Sequence, residues 1–277
     1  MNLTGLGLGS LGLAALGLVG LVIAWLMTLP LHRFKEHRPL TPRDVATEDG
    51  TATTPPVLIR AVYRHAMCPQ CRHVCSTADT IPVLSWIRGC PDCGKRFPWT
   101  VPLLQLGVPA GLILTWTQLN SSWVALPYLW LVLILAAISV VDLRIWLIPY
   151  WMPWLGASVG LVLITIVSVA IGDPSQILFA LGGAAGAFLL FFLLWLVAPS
   201  KLGFGDVRMA LLLGMFLAWL HPLLPIYGLL FGSLFGLLMG VVALLTRKDS
   251  RFAFGPALAL GAMCAIWFHE ALLQSLL

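Results

Sequence analysis

The 277-residue chain is 60% hydrophobic and only 10% charged, with a mean hydropathy of +0.95 and a formal net charge of +5. A soluble domain carries about a quarter charged residues, so this composition excludes a water-soluble enzyme or binding module. The positive charge does not argue for nucleic acid, because basic residues in a membrane protein first report topology.

Taken in chain order, the apolar residues form long blocks, several of which reach the ~20 residues needed to cross about 30 Å of hydrocarbon. Eight spans are predicted, at about 6–29, 101–118, 123–141, 151–171, 177–198, 207–220, 222–246 and 256–276. The chain is therefore read as an all-α polytopic membrane protein. The first block has no basic residue before it and is too long for a signal core, so it is read as a retained helix covering 1–31. Residues 32–65 follow as a flexible lead-in, with Thr, Pro, Asp and Glu concentrated between Pro39 and Pro56. Residues 66–100 form a small cysteine-bearing module, and 101–277 form the membrane-embedded domain. The sixth span is short and ends at His221-Pro222, which predicts a tilt or a break before the seventh.

Ten of the 16 Lys and Arg residues lie in 32–100; Arg144, Lys201, Arg208, Arg247, Lys248 and Arg251 supply the rest. The loops at 119–122 and 172–176 and the turn near 221 hold none. In an eight-span model every basic residue falls on one side, which is predicted to be the cytoplasm.

Five of the six cysteines lie between Cys68 and Cys93. Cys68-Pro69-Gln70-Cys71 and Cys90-Pro91-Asp92-Cys93 are two Cys-x-x-Cys knuckles separated by eighteen residues. Four thiolates on two tight turns make a closed tetrahedral shell for zinc, with no open position for catalysis. A module of this size has too little core to fold alone, and metal binding of ~10–16 kcal/mol would supply the stability. A reducing cytoplasm disfavours disulfides; an apo or redox-active pair is the alternative. Cys75 is a spare thiol, His65 and His73 are candidate outer-shell groups, and Cys264 is read as a small buried hydrophobe.

Outside the long loop the acidic residues are Asp142, Asp173, Asp206, Asp249 and Glu270. Asp249 sits among Arg247, Lys248 and Arg251, Asp173 precedes Pro174 in a turn, and Glu270 can reach the outer interface. Asp142 and Asp206 both fall where an apolar span meets the cytoplasm. Each has a bland reading, Asp142 as a stop-transfer charge paired with Arg144 and Asp206 as a helix N-cap. Jointly, two carboxylates at one membrane depth are a functional-site hypothesis. Brought together they would share a proton, so one could take a proton from water while the other polarises a scissile carbonyl. Gly203 and Gly205 would let an extended peptide approach the backbone.

Four stretches resemble the bacterial prepilin peptidases, the type IV family of membrane aspartyl proteases. They are 68–98 with its knuckles, Asp142 followed by Ile148-Pro149, Gly203-Phe204-Gly205-Asp206, and Phe254-Gly255-Pro256 through Gly261. The resemblance implies an enzyme in the bacterial inner membrane, with Asp142 and Asp206 as the catalytic pair. Its implied partners are type IV prepilin or type II secretion pseudopilin precursors, whose short basic leader is cut just before a hydrophobic helix. It further implies methyl transfer from S-adenosylmethionine to the new N-terminus. Arg208 stands where the family usually has Lys. Leu21-Val22-Ile23-Ala24-Trp25 and Trp99-Thr100-Val101 depart from the N-terminal pattern, which leaves methylation open. The competing classes are a proton-coupled transporter, which would place its charges near mid-span, and a zinc-containing scaffold without catalysis.

Overall fold

A computed structural model describes residues 10–31, 66–67, 74–75, 81–82, 84–97, 99–120, 122–198, 202–246 and 253–275. In chain order the elements are α1 (Ser10–Leu31), β1 (Ala66–Met67), β2 (Val74–Cys75), α2 (Leu84–Arg88), α3 (Thr100–Gln118), α4 (Ala125–Ile145) and α5 (Trp151–Ala170). They continue with α6 (Gln176–Val197), α7 (Phe204–Leu220), α8 (Leu224–Thr246), α9 (Gly255–Trp267) and α10 (His269–Gln274). The chain divides into two compact units, one of residues 14–110 and the other of 111–277 with 1–13.

In the unit 14–110, β1 and β2 pair antiparallel with Ala66 opposite Cys75 and Met67 opposite Val74. The Trp86 indole N–H of α2 donates to Gln105 Oε1 on α3 at 2.7 Å. A tight turn follows α2. Cys90 N–H donates to Lys95 O and Gly94 N–H donates to Cys90 O, both at 2.9 Å. Gly89 and Gly94 take φ of +68° and +66°, the left-handed region that glycine enters without strain. A Cβ at Gly89 would also stand 2.6 Å from Lys95 O.

The larger unit is a helical bundle built around α7. Apart from Asp206 and Arg208 near its start, this helix is apolar on every face, so it can be buried on every face; Met209, Leu212, Phe216 and Val207 are all inaccessible. α6 lies along α7, α8 lies along α9, and α5 packs on both α4 and α7. Glycine lets α6 and α7 cross closely: a methyl at Gly183 would overlap Ala218 of α7, and one at Gly214 would overlap Ala187 of α6. In a membrane the association of helices depends on such close packing and on bonds between helices. Tyr128 OH donates to Phe216 O at 2.9 Å, and the Trp219 indole donates to Ser168 Oγ at 2.9 Å.

A helix occupies each of the eight expected segments. Five of them, α3, α4, α5, α6 and α8, are long and apolar enough to cross a membrane. α7 has 17 residues and α9 has 13, and the apolar stretch of α1, Gly12–Thr28, is also shorter than those five. The expected last span, 256–276, is broken at Phe268 into α9 and α10. The His269 ring nitrogen lies 2.8 Å from Ile266 O, the carbonyl that the next helical turn would have used. The expected break after the sixth span falls at His221, whose backbone is extended (φ −163°, ψ 137°).

Candidate active site

The last turn of α4 carries Asp142, which is 5% exposed. Its backbone carbonyl accepts from Trp146 N–H at 2.8 Å, and Trp146 ends the helix at φ 52°. That left-handed residue turns the chain, and Ile148 becomes buried two residues later. Asp142 Oδ2 accepts the Gly255 N–H at 2.8 Å in a buried bond. Gly255 opens α9, so the carboxylate caps a helix N-terminus, where free N–H groups and the helix dipole favour an anion. Pro256, the second residue of α9, has no N–H to leave unsatisfied.

Asp206 is the third residue of α7 and is half-buried. Gly203, not Asp206, is the N-cap. Asp206 N–H donates to Gly203 O at 3.0 Å, and the Asp206 carboxylate lies beside Gly203. An acidic residue at the third position reaching back to the cap is half of a capping box. It corrects the N-cap expectation while keeping the carboxylate at the helix start. The Asp142 and Asp206 carboxylates lie within range of each other's charge.

Ile148 joins the two halves. A Cβ at Gly205 would stand 3.0 Å from Ile148 Cβ, and one at Gly255 would stand 3.3 Å from Ile148 Cδ1 and 2.7 Å from Asp142 Oδ2. Gly205 therefore makes room for the protein's own Ile148. Gly203 is exposed, and the neighbour of its would-be Cβ is Asp206 Oδ2 at 3.3 Å. The Arg208 guanidinium sits 4.8 Å over the Phe204 ring. Phe204 in turn meets Trp195 edge-on at 5.2 Å, an aromatic shelf of α6 that the sequence did not single out. Phe254 caps α9 and fills the space that a side chain at Gly236 would need.

Asp173 has the turn role expected of it, accepting from Ser175 Oγ at 2.5 Å and Gln176 Nε2 at 2.9 Å. These bonds hold its carboxyl below the usual range. Glu270 accepts from Asn120 at 3.3 Å. Arg144 is buried, and Cys264 is half-exposed, not buried. Of the expected metal cysteines, Cys90 is buried and Cys93 half-buried, three residues apart on the glycine-flanked turn. Cys68, Cys71, His65, His73, Asp249 and Lys201 lie outside the described residues. Among the described residues no group of three or more candidate metal ligands occurs.

Two carboxylates on separate helix ends, enclosed at one end of an apolar helical bundle, define a membrane protein with an acid-pair site. The chain belongs to the type IV leader peptidase family, and is thus a peptidase. The family model matches residues 129–241, which include both carboxylates, and the model of the bacterial N-terminal domain of this peptidase family matches 18–119. The chain is 30% identical over 217 residues to the prepilin leader peptidase/N-methyltransferase of Aeromonas hydrophila, covering 74% of this chain and 72% of that one. The enzyme of the same name from Pseudomonas putida is 30% identical over 216 residues, covering 74% and 73%. That of Bacillus subtilis is 25% identical over 231 residues, covering 79% and 88%. No solved structure matches the chain.

Proposed function

We propose that the protein removes the short basic leader from type IV prepilins or type II secretion pseudopilin precursors, with Asp142 and Asp206 acting as one water-activating pair. The observation that carries this reading is the convergence of the two carboxylates at one end of the bundle, with Asp142 held by the Gly255 N–H at 2.8 Å. The charge count across the eight-span reading supports a cytoplasmic position for that end, and for residues 32–100, at the bacterial inner membrane. One carboxylate takes a proton from water as the water attacks the scissile carbonyl. The other, protonated, donates to the carbonyl oxygen; the first then passes the proton it took from water to the leaving amine, while the second recovers its proton from the collapsing tetrahedral intermediate. A substrate stretched across Gly203 would reach Asp206 over exposed backbone.

The test is cleavage of a purified precursor followed by mass spectrometry. Asp142→Asn and Asp206→Asn should each nearly abolish leader loss, because Asn cannot exchange the proton. The double variant should be little worse than either single one, as expected of parts of one machine. Expression and membrane insertion should survive. A transporter or scaffold would show no leader cleavage in the wild-type protein. An Asp206→Asn protein that cut at the wild-type rate would end the acid-pair assignment.

The family also implies a structural zinc, and the donor set fits it. Cys90 and Cys93 share one tight turn, and Cys68 and Cys71 repeat the spacing in sequence. The bound ion would supply folding stability to residues 66–100 and take no part in cleavage. The names of the relatives pair cleavage with N-methyl transfer. Methylation of the new N-terminus is a second activity to test here, with S-adenosylmethionine supplying the methyl group. Ser85 Oγ and Gln105 Nε2 are buried without hydrogen-bond partners, and such atoms could hold a polar ligand. Gln105→Leu should then lose the added methyl mass while leader loss persists.

A further inference from the structure

A groove of about 630 Å³ runs between α6, α7 and α8 in the larger unit. We infer that it holds the membrane-spanning helix of the substrate while the leader is cut, an inference that rests on the leader-peptidase reading above. The first argument is register. The groove floor on α7 is Ala210, Leu213, Gly214, Leu217 and Ala218, which follow Asp206 by four, seven, eight, eleven and twelve residues. Those spacings are one face of an α-helix, so the stripe that begins with Asp206 continues as the floor. At 1.5 Å per residue the floor lies about 6 to 18 Å along the helix from Asp206, a stretch of about 12 Å within the ~30 Å of hydrocarbon. An occupant lying in the groove has one end delivered to Asp206.

The second argument is chemistry. Every residue lining the groove is apolar, with no charge and no hydrogen-bonding side chain. It suits the hydrophobic helix that follows the cut and not the basic leader before it. The third argument is space. On α6, Gly183 is closed against α7, but a Cβ at Gly182 or Gly186 would meet nothing within 4 Å. Gly182 and Gly186 are one turn apart and both line the groove, so a helix backbone can approach α6 there as closely as α7 does at Gly183. A lipid chain or a second enzyme copy could also meet an apolar face. Neither would account for a floor in register with Asp206.

Because the space at Gly182 and Gly186 is open, Gly182→Leu and Gly186→Leu should fold normally and fill the groove. With a full-length prepilin in proteoliposomes, KM should rise by about ten-fold or more while thermal stability stays at the wild-type value. Leu181→Trp, at an exposed position of α6 that does not line the groove, serves as the control and should leave KM unchanged. Wild-type KM in both glycine variants would overturn the inference. A photo-crosslinking side chain at Gly186 in the Asp206→Asn background should attach to the prepilin helix; adducts with lipid alone or with a second enzyme copy would also overturn it. Cleavage by Asp206→Asn would instead remove the acid-pair reading itself, so the two failures are distinguishable.

Discussion

At the scale of single residues, the Asp142 carboxylate occupies the space that any side chain at 255 would need, 2.7 Å from the would-be Cβ of Gly255. Gly255→Ala must therefore push the carboxylate aside or shift the start of α9, and either weakens the 2.8 Å bond from the Gly255 N–H. Displacing a reacting group by about an ångström can cost about a hundred-fold in rate, so cleavage should fall by ten- to a hundred-fold with little loss of folded protein. Initial rates on a purified precursor check this, and a wild-type rate would show that the carboxylate tolerates the displacement. Gly205→Ala should cost less, because its neighbour at 3.0 Å is the aliphatic Ile148. The proposed pair predicts a pH–rate curve that falls on both sides of an optimum, with one carboxylate protonated while the other is ionised. The depressed carboxyl of Asp173 acts differently. Its bonds to Ser175 and Gln176 are present above the ordinary carboxylate range and fade as pH falls through the lowered value, a small effect on the exposed loop before α6. The places of Asp142 and Asp206 at span ends were legible in the sequence from their residue type and the apolar blocks beside them. The role of Gly205 was not, because its neighbour Ile148 comes from a loop far away in the chain.

At the scale of elements, α6 places two kinds of glycine side by side. Gly183 is locked into α7, where Gly214 returns the contact, whereas Gly186 one turn away faces open space. Gly214→Val should therefore overpack the crossing and cost about 1–3 kcal/mol, seen as a lower thermal midpoint in detergent. Gly186→Leu should leave that midpoint unchanged. Equal destabilisation by both would show that α6 and α7 do not cross at Gly183. The long spans were legible because apolar blocks of that length report themselves. The break at Phe268 was not, since it depends on a bond between the His269 ring and Ile266 O that hydropathy does not encode. The same holds for α7. Composition alone does not distinguish a helix buried on all faces from one that meets lipid, but its neighbours α6 and α8, with only 17% of each span buried, do.

At the scale of the whole molecule, the end of the bundle that gathers Asp142, Ile148, Gly205 and Gly255 is the end that also carries the basic residues Arg144 and Arg208. The opposite end carries the loop holding Asn120 and that holding Ser175, neither of which has a Lys or Arg. Positive loops are retained in the cytoplasm, so the carboxylates should be reachable only from inside. The chain's own cysteines make this testable without removing any of them. Five of the six lie between Cys68 and Cys93, on the side predicted to be internal, and Cys264 lies within α9. A membrane-impermeant maleimide applied to intact cells should leave the wild-type protein unlabelled. Asn120→Cys and Ser175→Cys, both at exposed positions, should become labelled. Tyr150→Cys is 68% exposed in the native residue but at the other end, and should label only after the membrane is opened. Labelling of the Tyr150→Cys protein from outside would reverse the orientation, and with it the side on which a leader could be cut.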